Sequence, residues 1–218
     1  MIEDLCTKLQ PQKVVWNRLY TPTGINEGQS VRTTLDSLGV EHQSFNSQLL
    51  IEPSRVFNKQ GTPFKVFTPF WRHCRTLVAA KEGEPEPDFQ PQTGGLKETQ
   101  ACSLHDLDLL PKQPDWAAQF GHYWQPGEEG AQQRWHSFLS EDVNQYDLGR
   151  DFPALQKTSL LSAHLAWGEI SVEQLFAQAT ASIDAGDADA ANTNKFLSEI
   201  GWREFCSYLM CHFPQMPE

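Results

Sequence analysis

The sequence predicts an α/β segment followed by an all-α domain, and three observations carry that expectation. Between Lys13 and Phe45 extended, helical and extended patterns alternate. Residues 82–95 hold Pro85, Pro87, Pro91 and the Gly94-Gly95 pair, which is linker composition. From residue 128 onward apolar residues recur at helical intervals, with no further strand pattern.

In chain order, residues 2–10 read as a short helix, and Lys13–Tyr20, rich in Val, Trp, Leu and Tyr, as a strand broken by Thr-Pro-Thr-Gly at 21–24. Residues 25–39 read as a helix because Val31, Leu35 and Leu38 fall on one side and Gly39 supplies a stop. Val40–Phe45 is a second short strand. Three such elements are too few to cover both faces of a parallel sheet. A helix is expected from Phe70 to Arg75, and residues 96–125 are expected to be irregular, with Trp116, Phe120 and Trp124 pinning the crossing to a domain surface.

The helical part starts at 128–145, amphipathic through Ala131, Trp135, Phe138 and Leu139. Thr158 or Ser159 caps a helix running to Trp167, which Gly168 ends, and Ser171-x-x-Gln174 forms a capping box for the next. Asp184–Thr193 reads as a loop, after which Asn194 caps a helix through Tyr208.

At 218 residues the chain is long enough to bury a substantial core. Its 17 Lys and Arg against 28 Asp and Glu give a net charge of -11, which opposes generic attraction to nucleic acid. From Tyr146 onward four basic residues face ten acidic ones, so any DNA contact there must be local. The cysteines at 6, 74, 102, 206 and 211 are an odd number without zinc spacing, so reduced thiols and no metal site are expected. No signal-peptide pattern or apolar run of bilayer length is present, so the expected location is cytoplasmic.

The segment from Asn194 to Phe205 places Glu199, Trp202, Arg203 and Cys206 on one helix face. A carboxylate, an indole and a guanidinium there suit a flat aromatic or nucleotide ligand. The bland alternative is a surface ion pair between Glu199 and Arg203, worth a few tenths of a kcal/mol, beside a core Trp202. Hydroxyls at Thr158, Ser159 and Ser162 sit at a predicted helix start, where free N–H groups favour a pyrophosphate.

Four words, Arg150-Asp-Phe-Pro153, Thr158-Ser-Leu-Leu-Ser162, Leu165-Ala-Trp-Gly-Glu-Ile-Ser171 and Trp202-Arg-Glu-Phe205, stand in an order and spacing that resemble the FAD-binding helical domain of the DNA photolyase and cryptochrome family. Val14–Pro22 and Lys65–Phe70 resemble the end of the family's α/β antenna domain. The resemblance therefore implies that residues 1–69 are the C-terminal part of a Rossmann-like antenna domain, 70–125 the interdomain connection and 126–218 the first part of the helical FAD-binding domain. It also implies a fragment that begins inside the antenna domain and stops midway through the helical one.

Carried across residue by residue, the resemblance makes Tyr146, Thr158, Ser159, Leu160, Leu161 and Ser162 contacts to FAD. Phe196 takes the flavin-side position where some members carry Trp, and Arg203 lies between substrate and flavin. Arg150 becomes a contact to the DNA backbone, Glu199 hydrogen-bonds a damaged pyrimidine, and Trp202 packs on the flipped-out dimer. The implied activity is light-dependent repair of cyclobutane pyrimidine dimers, a deoxyribodipyrimidine photo-lyase reaction, with damaged DNA as partner and Glu199 and Trp202 as catalytic residues. The word Glu199-Ile-Gly-Trp-Arg-Glu-Phe205 looks closer to the cyclobutane-dimer branch than to the (6-4) or DASH variants. The antenna chromophore, a folate or a deazaflavin, is left open by this sequence. Alternatives are a cryptochrome-like flavin photoreceptor without repair, or a truncated and inactive product.

Overall fold

The computed structural model describes residues 1–79 and 103–216, so the linker at 82–95 and Cys102 lie outside the described residues. Helix α1 (Ile2–Leu9) precedes strand β1 (Lys13–Asn17), helix α2 (Pro22–Leu38) and strand β2 (Glu41–Phe45). The strands pair in parallel, from Lys13 opposite Glu41 to Asn17 opposite Phe45, with α2 as the crossover that a parallel pair requires. Thr21 caps α2 by accepting the Gly24 N–H at 3.1 Å, Pro22 opens its first turn, and Gly39, at φ 65°, ends it. Both strands alternate exposed and half-buried residues, and Val15 and Phe45 are exposed.

The larger core lies around the last helix. Helix α3 (Phe67–Ala79) is followed, past the undescribed segment, by α4 (Glu128–Ser137), α5 (Tyr146–Gly149), α6 (Ser162–Trp167), α7 (Val172–Ala185) and α8 (Ala190–His212). Helix α8 buries Thr193, Phe196, Leu197, Ile200, Gly201, Glu204, Phe205 and Tyr208, a stripe repeating at three and four residues, and packs on α3, α5 and α7. Gly201 is there because α3 comes too close for any side chain: a Cβ would stand 2.6 Å from the buried Trp71 ring. Helices α4 and α7 are joined by Trp135, which donates its indole N–H to Gln178 at 2.5 Å, and by a Gln132–Gln174 bond at 3.0 Å.

Loop 46–56 ties the α/β unit to α8. The Tyr208 hydroxyl accepts the Phe64 N–H at 2.9 Å and donates to the Val56 carbonyl at 3.0 Å. Glu204, only 4 % exposed, accepts the Leu50 N–H at 2.8 Å. These bonds satisfy backbone groups that burial removes from water.

Several local expectations are corrected. The 128–145 helix is not continuous: α4 passes into a π-helical turn at Phe138–Asp142 and a 3-10 turn at Val143–Gln145. Neither Thr158 nor Ser159 caps α6, which starts at Ser162 without a side-chain cap. Ser171 makes no side-chain capping bond, and the Gln174 side chain, the other half of the expected box, is turned to Gln132. Helix α8 begins four residues before Asn194, since Asp189 accepts the Asn192 N–H at 2.8 Å and so stops the preceding turn from fraying. Asn194 instead donates to the Ala190 carbonyl within the helix. Helix α3 is longer than expected at both ends. Trp116, Phe120 and Trp124 pack edge to face on one another, and the first two remain exposed rather than pinned to a domain surface.

Candidate functional site

The face predicted on α8 forms, with different partners. Glu199 accepts from the guanidinium of Arg150, the residue that caps the end of α5, not from Arg203, although Arg203 stands one turn away. The Arg150–Glu199 bond holds the Arg150 guanidinium charged above even its ordinary value. Arg150 also lies 5.6 Å from the ring centroid of Tyr146, whose phenol is pushed up by burial. Tyr146, Arg150 and Glu199 are thus one contact group, bringing together residues that two separate words contribute.

Arg203 is turned inward from this group. It donates to the Gln48 carbonyl at 2.5 Å and reaches the Leu165 carbonyl at 3.5 Å, and its other contact is Glu204 at 3.3 Å. The bland reading of a Glu199–Arg203 surface pair beside a core indole therefore fails on both counts. Trp202 remains 45 % exposed while one face of its indole stacks on Phe67, with centroids 3.8 Å apart and planes 10° off parallel. Stacking orients the ring without burying it. Cys206, on the same side of α8, is exposed.

A second feature is a cleft of about 470 Å³ between the 121–125 segment, α4 and the loop before α6. Thr158, Ser159 and Leu160 line one wall, and Gln133, Arg134 and Asp142 another. Leu160 adopts φ 51°, the left-handed region that a branched side chain rarely occupies, so this loop is held in a conformation its sequence does not favour. Lys157 bonds Asp142 at 2.6 Å across the base of the loop. Phe138 and Asp142, the first and last residues of the π turn, both line the cleft. Leu161 is buried below the loop, and Ser162 is exposed at the start of α6.

Phe138 links the two features: it lines the cleft and packs edge to face on Tyr146 at 5.7 Å. Phe196 lies behind them, enclosed by Trp135, Phe138 and Tyr146. Thr158 and Ser159 line the cleft together with Arg134, whose guanidinium donates to the Tyr123 carbonyl at 2.6 Å, so the cleft holds hydroxyl and guanidinium donors of the kind a phosphate accepts from. Sequence reasoning missed Arg134, which reads as one exposed charge on an amphipathic helix, whereas in the fold it lines the same cleft as Thr158.

It also missed Glu204. Burial pushes its carboxyl up to about 7, against the opposing pull of Arg203 and the Leu50 and Ile51 N–H groups. Cys74 is raised to about 12, mainly by burial and then by Glu204. Two adjacent letters of Trp202-Arg-Glu-Phe205 are therefore engaged with the loop of the α/β unit. Among the described residues no three His, Cys, Asp or Glu side chains cluster as a metal site needs, and no helix is long and apolar enough to cross a membrane.

Comparison with known proteins adds four findings. The family model described as DNA photolyase matches residues 1–90. The deoxyribodipyrimidine photo-lyase of Agrobacterium fabrum is 40% identical over 223 residues, covering 100% of this chain and 45% of that protein. A 31.6 kDa protein of Synechococcus sp. strain PCC 6716, from the 5' region of atpI, is 31% identical over 94% of this chain and 71% of its own length. In structure, the bacterial class III photolyase of Agrobacterium tumefaciens superposes with a TM-score of 0.83 at 36% identity, over 100% of this chain and 44% of that one. The chain thus spans less than half the length of these two photolyases.

Proposed function

Because this chain belongs to the DNA photolyase family, we propose that its α8 face and its cleft are the substrate and cofactor sides of a light-dependent repair site for cyclobutane pyrimidine dimers in DNA. On this reading residues 1–69 are the end of the antenna domain, 70–125 the connection and 126–218 the start of the FAD-binding domain. FAD, when bound, supplies the light-driven electron that splits the dimer. Arg134, Thr158 and Ser159 hold its diphosphate, and Tyr146 and Phe138 separate that end from the substrate side.

Trp202 is the stacking platform for an extruded dimer. Stacking a base on such a ring contributes about 1–3 kcal/mol, and a dimer is already partly unstacked, so extruding it costs less than flipping a paired base. Glu199 offers a hydrogen-bonding carboxyl at the edge of the same platform. Arg150, which holds Glu199, adds the cation for the flanking phosphate.

The observation that carries the proposal is the indole of Trp202, fixed by Phe67 at 3.8 Å and still 45 % exposed, with the Arg150–Glu199 pair beside it. An aromatic ring serving only the core has no reason to be both fixed and open. The test is fluorescence-anisotropy titration of the chain with oligonucleotides that carry or lack one thymine dimer. The expected result is preference for the dimer, reduced by about 1–3 kcal/mol in Trp202→Ala. Equal affinity for the two oligonucleotides, or an unchanged preference in the variant, sinks the proposal.

A further inference from the structure

Next to Trp202 runs a groove of about 660 Å³ between α3 and α8, most of whose lining lies outside the motif words. Its lining includes the rings of Phe67 and Trp71, the guanidinium groups of Arg72 and Arg75, and the hydroxyls of Thr68 and Ser198. Phe67 is shared: it stacks on Trp202 and, nearly parallel at 13°, on Trp71 at 6.5 Å, so Trp202, Phe67 and Trp71 form one ladder of rings leading into the groove. Arg72 and Arg75 are three residues apart on α3 and therefore point to the same side. Both are exposed, and among the described residues neither has an acidic partner within ion-pair distance.

In a chain of net charge -11, Arg72 and Arg75 place two cations side by side on one wall of the groove. The other cations near the α8 face are paired, Arg150 with Glu199 and Lys195 with Asp147. With Trp71 buried and Phe67 half-buried beneath Trp202, the groove offers mainly its rim, and guanidinium and hydroxyl donors there match the phosphates of a nucleic-acid strand. We infer that the α3–α8 groove binds the phosphodiester backbone of the DNA strand that runs away from the base held at Trp202, with Arg72 and Arg75 as its phosphate contacts. The inference rests on the repair-site reading above, because it takes Trp202 as the strand's anchor. It adds a path for the strand and two contacts outside the motif words.

The test uses the whole chain and fluorescein-labelled oligothymidylate, untreated or ultraviolet-irradiated to form dimers, titrated over a series of salt concentrations. Arg72→Gln/Arg75→Gln is expected to lower affinity for both probes together, by roughly ten-fold at low salt, and to reduce the slope of log K against log salt by about 0.7 per arginine. Preference for the irradiated probe should not change. Arg72→Lys/Arg75→Lys should restore the slope, and Lys8→Gln, on the exposed side of α1, should leave it alone. Circular dichroism of each variant checks that the helices persist, and the single variants Arg72→Gln and Arg75→Gln provide the same reading in half steps. An unchanged slope in the double glutamine variant, or no salt-dependent binding by the native chain, overturns the groove. A native chain without dimer preference whose slope still falls on losing the arginines overturns the repair-site reading and leaves a strand-binding groove.

Discussion

The Glu204 carboxylate accepts the backbone N–H of Leu50 at 2.8 Å, joining two residues separated by 154 positions. Its neighbour Arg203 donates to the Gln48 carbonyl two residues before Leu50. One pair of charged side chains thus closes the α/β unit onto α8, on the inner side of the helix whose outer side presents Trp202. Arg203 also reaches the Leu165 carbonyl of α6 at 3.5 Å.

The first prediction concerns pH. Glu204 is raised to about 7 from 4.5 by burial, and it faces Arg203 on α8, Cys74 on α3, Glu173 on α7 and the Leu50 and Ile51 N–H groups. A carboxyl that binds its proton more tightly in the folded state adds stability that is full below pH 4.5 and is lost as pH rises through about 7. The span corresponds to a loss on the order of 3 kcal/mol. Thermal unfolding between pH 4.5 and 8 should show this decline, and Glu204→Gln should flatten it. Parallel pH profiles for the native chain and the variant would show that Glu204 keeps its ordinary titration.

The second concerns Tyr208. Its hydroxyl serves the Phe64 N–H and the Val56 carbonyl at once, inside the core. Tyr208→Phe leaves both backbone groups without a partner while keeping the ring, so the loss should be about 1–3 kcal/mol. At this chain length that lowers Tm by roughly 2–10 °C. A Tm within a degree of the native value means that water replaces the hydroxyl.

The third concerns the approach of α3 to α8. Gly201→Ala places a methyl group 2.6 Å from the Trp71 ring, and the ring is held by Phe67 and Phe176. The helices must separate, costing about 1–3 kcal/mol, although alanine is the better helix former. Urea unfolding measures the difference, and a gain in stability would show that Trp71 has room to turn.

Much of this arrangement is legible in the sequence, and what is not has a common cause. The helices, the parallel strand pair and the stops at Gly39 and Gly168 follow from local periodicity and from the left-handed freedom of glycine. The shared face of Glu199 and Trp202 follows from helical spacing. Partner choice does not: Glu199 meets Arg150, and Arg203 meets Gln48 and Glu204, because long-range packing of α5 and the 46–51 loop outweighs an intrahelical pair worth only tenths of a kcal/mol. The Gln half of the capping box expected at Ser171 is lost in the same way, since Gln174 finds Gln132 across the α4–α7 contact. The Trp202-Arg-Glu-Phe205 word lies on α8 as expected, but its Arg and Glu turn to the inner side.

The last prediction separates the roles of Arg150 and Glu199, which share one bond and are each partly exposed. As a pair they should contribute modestly to stability: a double-mutant cycle with Arg150→Ala and Glu199→Gln should give a coupling of about 0.5–1 kcal/mol that shrinks in high salt. Toward DNA their effects should diverge. Arg150→Ala removes a phosphate contact and should weaken binding to damaged and undamaged oligonucleotides equally, lowering the salt slope by about one. Glu199→Ala removes a hydrogen bond that only an extruded base can use, so it should leave undamaged binding intact and reduce the preference for the dimer by about 1–3 kcal/mol. Because Arg150 is left in place in that variant, any loss of preference belongs to the carboxyl. If Arg150→Ala erases the dimer preference as fully as Glu199→Ala does, then Arg150 acts by holding Glu199 in position rather than by gripping the backbone, and restoring the cation as lysine should then recover the preference together with the affinity.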